Sequence, residues 1–168
     1  ATDLYVALCC ASDDKQALQV PADRALWTQS FPHLASLVAR FGDAGRWDEF
    51  EVIKLTAWSR GRVAILGDAA HAMPPYLGQG GGCALMNGIG LAAAVADAPD
   101  VAQALHDWEA RERPMTEHTQ DTAERLGDMN FWPDDVRSQV LKITGQCREI
   151  AMERMKTALH APTATQAL

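Results

Sequence analysis

Two clusters in this 168-residue chain have the residue types and spacing to do chemistry: Gly67-Asp68, and the run Gly78-Gln79-Gly80-Gly81-Gly82. Asp68 follows Val63-Ala64-Ile65-Leu66, a short apolar run between turns that reads as a buried strand. A carboxylate is thereby set at a strand's carboxyl end, where open α/β sheets take their ligands. Pro74-Pro75 stiffens the loop that follows, and the glycine run lets backbone approach a ligand closely before opening a helix. The first N–H groups of that helix and its positive dipole end would face the ligand. No Lys or Arg lies within the loop and no Lys-Ser/Thr pair follows it, which disfavours a triphosphate and suits a delocalised or partial negative charge. Taken alone, Asp68 more commonly reads as a helix or turn cap, and the glycines could be a flexible linker; the preceding Pro-Pro and the apolar helix beyond argue for a fixed turn.

These groups need elements to hold them. Residues 3–10 (DLYVALCC) are rich in strand formers and predict a strand. Residues 21–41 carry helix start signals at Pro21 and Asp23 and apolar residues at helical spacing, divided by Pro32 into two short helices. Residues 49–57 alternate imperfectly and predict a half-buried strand, and Gly61-Arg62 is a turn. After a loop over residues 68–82, helices are expected over 83–98, 101–126 (with Pro114 as a kink), 133–144 and 147–159, with residues 161–168 frayed. Gly88 and Gly90 each cost a helix about 1 kcal/mol against Ala, so a close packing partner should compensate.

Composition narrows the class of function. Hydrophobic residues are 48% and charged residues 22% of the chain, which excludes wholesale disorder. A net charge of -7 with no basic stripe argues against nucleic acid as a partner. Cys9, Cys10, Cys83 and Cys147 form no CxxC pair, so neither a metal site nor a disulfide framework is expected, and reduced thiols of a cytoplasmic protein are the plain reading. The uncharged stretch 69–96 is long enough for a bilayer, but Pro74-Pro75 and three consecutive glycines rule out one continuous membrane helix. The opening Ala1-Thr2-Asp3, running straight into a strand-like segment, reads as an internal piece of a larger protein.

The ordered set Gly67-Asp68, Ala69-Ala70-His71, Pro74-Pro75 and Gly78-Gln79-Gly80 resembles the second flavin motif of the single-component flavin-dependent aromatic hydroxylases, the family typified by p-hydroxybenzoate hydroxylase. Leu105 and Trp108-Glu109-Ala110-Arg111-Glu112-Arg113-Pro114 look like that family's L..YE..R.P helix, and Trp58 with Gly61-Arg62 like its W..GR. The strongest agreement spans about thirty residues. The chain departs from the family at Met86-Asn87, where most members have an acidic pair. It also lacks the family's N-terminal GxGxxG, its ribose-binding acid and its middle DG motif.

The resemblance implies an α+β (α/β) fold, a C-terminal portion of a larger flavoprotein with a few strands followed by several helices. On that basis residues 1–57 are a remnant of a substrate domain, 58–98 the GD-motif segment, 99–160 a helical region and 161–168 a tail. It implies FAD as cofactor, with NAD(P)H as reductant and O2 and a small aromatic or heteroaromatic ring as substrates, and no metal. Asp68 would accept a hydrogen bond from a ribityl hydroxyl. The N–H groups of Gly81 and Gly82 would bond the pyrimidine carbonyl of the ring, and Gly67, Gly78, Gln79 and Gly80 would shape the cradle. The carbonyl of Pro75 would border the reaction site, the one position assigned to catalysis. His71 is read as a structural hydrogen-bonding residue, Cys83 as buried and inert, and Met73 and Tyr76 as substrate lining or packing. The absent half would be supplied by the missing N-terminal FAD-binding region or by self-association, and the chain alone would be inactive, with weak affinity for FAD or none. A halogenase or flavin reductase sharing the GD motif, and a folded fragment or interaction module that holds no flavin alone, are the alternatives.

Overall fold

Asp23 opens the first helix by accepting from the backbone N–H groups of Ala25 (3.0 Å) and Leu26 (3.1 Å), two of the donors a helix start leaves unpaired. In the computed structural model, which describes residues 4–160, this helix is α1 (Arg24–Ser30). A 3-10 turn at Pro32–Leu34 leads to α2 (Ala35–Val38), so Pro32 does divide the two helices. The chain separates into two units, Ala1–Glu49 and Phe50–Leu168. In the first, Ala17, Trp27 and Val38 are the buried core, and Trp27 stacks with Phe31 and with Trp47, ring centroids 6.0 and 6.3 Å away.

Residues 4–10, within the strand expected over 3–10, form none: the segment has no regular secondary structure, and Leu4 and Tyr5 are exposed. Strand-forming side chains favour a ladder only where a neighbouring strand offers one. The same correction applies to residues 49–57. Alternation survives in the burial, with Ile53 and Leu55 half-buried between exposed neighbours, but no strand pairs with them.

The second unit contains the only sheet among the described residues, a hairpin of β1 (Ser59–Arg60) and β2 (Val63–Ala64), with Arg60 opposite Val63 around Gly61. Val63 is 67% exposed, so the run 63–66 is not the fully buried strand its composition suggests; Ala64 and Leu66 pack inward while Val63 and Ile65 face out. Residues 68–82 are also more ordered than a loop. They hold α3 (Asp68–His71) and a 3-10 turn at Pro75–Leu77, and α4 (Gly80–Val95) begins three residues before the expected start.

α5 (Val101–Asp128) is capped by Asp100, which accepts from Ala102 (3.0 Å) and Gln103 (3.2 Å). It runs on through Pro114, whose missing N–H frees only one carbonyl. α6 (Asp134–Gln146) and α7 (Arg148–Met155) follow close to their expected places. The expectation for residues 161–168 lies outside the described residues. The architecture is α+β, helix-dominated, with Trp58, Ala70 and Trp108 as the core beneath the candidate site. Among the described residues no helix is long and apolar enough to cross a membrane, and no cluster of potential metal ligands occurs.

Candidate functional site

The hairpin ends at Gly67, which has φ +66° and ψ −152°, a region L side chains rarely enter. Its carbonyl accepts from both Ala70 and His71 at 2.9 Å, which starts α3 at once. A Cβ built on Gly67 would lie 3.8 Å from the Ala84 side chain, so this turn sits directly against α4. Asp68 is therefore presented at the start of α3, past the end of the hairpin opposite its Gly61 turn. Its side chain is exposed and has no hydrogen-bond partner among the described residues.

The glycine-rich approach is built in steps. The Pro75 carbonyl accepts from Gly78 N–H at 2.9 Å, closing the 3-10 turn, and Gly78 takes the left-handed conformation at φ +64°. Gln79 then heads α4: its carbonyl accepts from Cys83 N–H (2.9 Å), and its side-chain amide donates to the Arg154 carbonyl (3.1 Å). No acceptor pairs with the N–H groups of Gly80, Gly81 or Gly82 among the described residues. A Cβ on Gly81 or Gly82 would meet no atom within 4 Å. The site therefore combines an open carboxylate, three open N–H donors at a helix's positive end and free space over the glycines.

Beneath this surface lies a buried polar layer. His71 is 1% exposed and Asn87 and Thr116 fully buried; Asn87 Nδ2 lies 3.1 Å from His71 Nε2 and 3.1 Å from Thr116 Oγ1. Trp108 donates from its indole N–H to the Asn87 carbonyl at 3.0 Å. Burial lowers the His71 pKa, although the nearby Asp68 charge acts in the opposite direction. His71 is thus buried and hydrogen-bonded to α4. Cys83 is buried as well, and burial pushes its thiol up despite a hydrogen bond with Thr119.

Gly90 and Gly88 find the close partners expected of them. A Cβ on Gly90 would stand 3.2 Å from Glu112 Oε1, and one on Gly88 3.6 Å from Leu66 Cδ1. Tyr76 is a packing residue, set edge-on to Phe50 with ring centroids 6.0 Å apart. Met73 lies along Gly80, its Cγ 3.5 Å from a Cβ placed there.

Sequence reasoning missed how α5 holds the site. Glu109 accepts from the backbone N–H groups of Trp58 and Ser59 and from the Ser59 hydroxyl, each at 2.8 Å. Burial alone would raise its pKa, but these bonds and Arg113 outweigh it and hold the carboxyl below its ordinary value. Arg113 donates to the carbonyls of Leu55 (2.6 Å) and Thr56 (2.8 Å) and to Glu109 (2.9 Å). Gln120 donates to the carbonyls of Ile53 (2.7 Å) and Ala72 (2.8 Å). Glu109 and Arg113 stand inside the W-E-A-R-E-R-P string, but Gln120 lies in a charged stretch with no local signal of burial.

The profile described as "FAD binding domain" matches residues 30–123, more than half of the chain. A putative 2-heptyl-3-hydroxy-4(1H)-quinolone synthase of Rhodococcus erythropolis is 48% identical over 160 residues, 95% of this chain and 42% of that protein. A 2-heptyl-3-hydroxy-4(1H)-quinolone synthase of Mycobacteroides abscessus is 42% identical over 157 residues, 92% of this chain and 42% of that protein. Among solved structures, a mutant of 2-methyl-3-hydroxypyridine-5-carboxylic acid oxygenase superposes with a TM-score of 0.72 at 31% identity, covering 90% of this chain and 38% of that one. The chain spans about two fifths of the length of these relatives.

Proposed function

Because this chain belongs to the FAD-binding domain family, we propose that it forms the ribityl- and ring-facing side of the FAD site in an NAD(P)H-dependent monooxygenase that hydroxylates a nitrogen-containing aromatic ring. The observation that supports this reading is that the exposed, unpartnered Asp68 follows a turn packed on Ala84 of α4, the helix whose first N–H groups, at Gly80, Gly81 and Gly82, are open. The names of the relatives, a quinolone synthase and a pyridine-carboxylic acid oxygenase, support the choice of ring.

The residues fit the cofactor. Asp68 accepts from a ribityl hydroxyl, a charge-assisted bond worth about 1.5–3 kcal/mol. The Gly81 and Gly82 N–H groups donate to the pyrimidine carbonyl, and the α4 dipole favours negative charge there by about 0.3–2 kcal/mol. Gly80 is the third open donor at this end. Gly67 and Gly78 set the two turns through positive φ, and Gln79 anchors the helix start to Arg154. Pro75 lines the approach with its ring and with the carbonyl lone pair that Gly78 leaves free. When bound, the flavin supplies electron transfer from NAD(P)H and activation of O2. Exposed apolar residues on α4 and the hairpin, Leu85 at 72% and Val63 at 67%, are the surface on which further polypeptide packs, from the same protein or a second copy.

FAD titration followed by flavin fluorescence tests the reading. The 168-residue chain is expected to bind weakly, with a dissociation constant in the micromolar range or above, because it contains no GxGxxG turn for the pyrophosphate. Asp68→Ala should weaken binding roughly 10–100-fold. Unchanged affinity in Asp68→Ala would make the residue a turn cap and remove the site.

A further inference from the structure

His71 is the last residue of α3 and lies one turn from Asp68. Its ring packs on the Trp58 indole, with centroids 5.2 Å apart, and its Nε2 meets the Asn87 amide nitrogen of α4 at 3.1 Å. That nitrogen also reaches Thr116 of α5 at 3.1 Å, and the Thr116 hydroxyl lies 3.2 Å from the Glu112 carbonyl. An Asn NH2 group only donates, so Nε2 accepts and the ring proton resides on Nδ1. An imidazolium would set N–H against NH2, two donors facing each other in a buried space. With the Asn87 amide so oriented, the network favours a neutral ring protonated at Nδ1, a buried N–H with no partner among the described residues.

This chain of contacts connects the two parts of the candidate site. α3 carries Asp68, and α4 carries Gly81 and Gly82 one to two turns before Asn87. We propose that His71 is a positioning residue for the flavin site: its neutral, Nδ1-protonated ring pins the Asp68 turn to α4, so that the carboxylate acceptor and the Gly81 and Gly82 donors keep one spacing. The inference rests on the reading of the flavin site given above. The groups facing the ring from neighbouring elements, Trp58, Asn87 and beyond it Thr116, carry no charge. Asp68, on the ring's own helix, is the charged residue whose field acts on it.

Nitrogen-15 imidazole spectra and FAD titration of the whole 168-residue chain test this together. His71 in the wild type should show a proton on Nδ1 and a bare Nε2, without protonation between about pH 6 and 8. His71→Leu, which removes the acceptor, should weaken FAD about tenfold. His71→Gln retains an acceptor for the Asn87 amide and should stay within about threefold of wild type. Thr116→Val, which releases Asn87 from α5, covers the case in which His71→Leu fails to fold and should weaken FAD about threefold. An Nε2-protonated or charged His71 at neutral pH overturns the proposal. So does wild-type FAD affinity in folded His71→Leu, or in Thr116→Val, while Asp68→Ala is weakened. If Asp68→Ala binds FAD as the wild type does, the site reading fails and this proposal falls with it; if the wild-type chain takes no FAD, the imidazole spectra decide, a proton on Nδ1 supporting the proposal and an Nε2-protonated or charged ring overturning it.

Discussion

A Cβ placed on Gly127 of α5 would stand 2.6 Å from Cε2 of Tyr76, so the turn after Pro74-Pro75 is seated where a helix side chain has been omitted. Gly127→Ala is the consequent test. Helix propensity favours Ala by about 1 kcal/mol, but the clash costs about 1–3 kcal/mol and should decide the sign. Thermal unfolding should show a lower midpoint for Gly127→Ala, and the loss should disappear in the Tyr76→Ala background. A loss that persists without the ring would place the cost elsewhere.

Gly81→Val should differ in kind from Asp68→Ala. Asp68→Ala removes one acceptor and leaves the ring's seat intact, so saturating FAD should restore the visible circular dichroism of bound flavin. Gly81→Val fills the open space over the helix start, and saturation should not restore that signal. Identical spectra at saturation would show that the ring does not lie over Gly81.

Glu109 should make stability depend on acid. Its folded pKa is depressed, so its contribution is present above the unfolded value near 4.3 and is lost as pH falls through the lower folded value. Glu109→Gln should be about 1–3 kcal/mol less stable at pH 7, measured by urea unfolding. The gap should close below about pH 4. A gap that is constant with pH would mean that shape, and not charge, sustains the clamp.

Exposed Leu85, Ile89, Val63 and Ile65 should drive concentration-dependent association of the isolated chain. Sedimentation velocity over a wide concentration range checks this, and a strictly monomeric profile throughout would count against it.

Helix positions were legible because their signals are local. Asp23 and Asp100 cap α1 and α5, Pro32 divides α1 from α2, and apolar spacing marks the faces. The strands were not. Residues 4–10 and 49–57 have the side chains of strands, but strand identity depends on a partner, and none pairs with them among the described residues. Composition places the glycines 80–82 in a loop because Gly is a poor helix former, and α4 includes them because a helix start tolerates residues its interior would not. At the site, Asp68 and the glycine run could be found because they adjoin in sequence. Asn87, Thr116 and Gln120 could not, since they are polar residues on inward helix faces, and periodicity weighs polarity as exposure.

Segment 53–56 is gripped through its carbonyls by Gln120 and Arg113 of α5, and Lys54 adds exposed side-chain ion pairs to Asp121 and Glu124 at 2.8 and 2.9 Å. Recognition through carbonyls is indifferent to the identity of the residue being held. In a saturation mutagenesis library, the exposed position Thr56 should accept nearly any residue except proline and Lys54 should lose only its surface ion pairs, whereas Gln120 and Arg113 should accept almost none. Diversity introduced to tune this protein belongs on the segment, and the helix that grips it is best left unaltered.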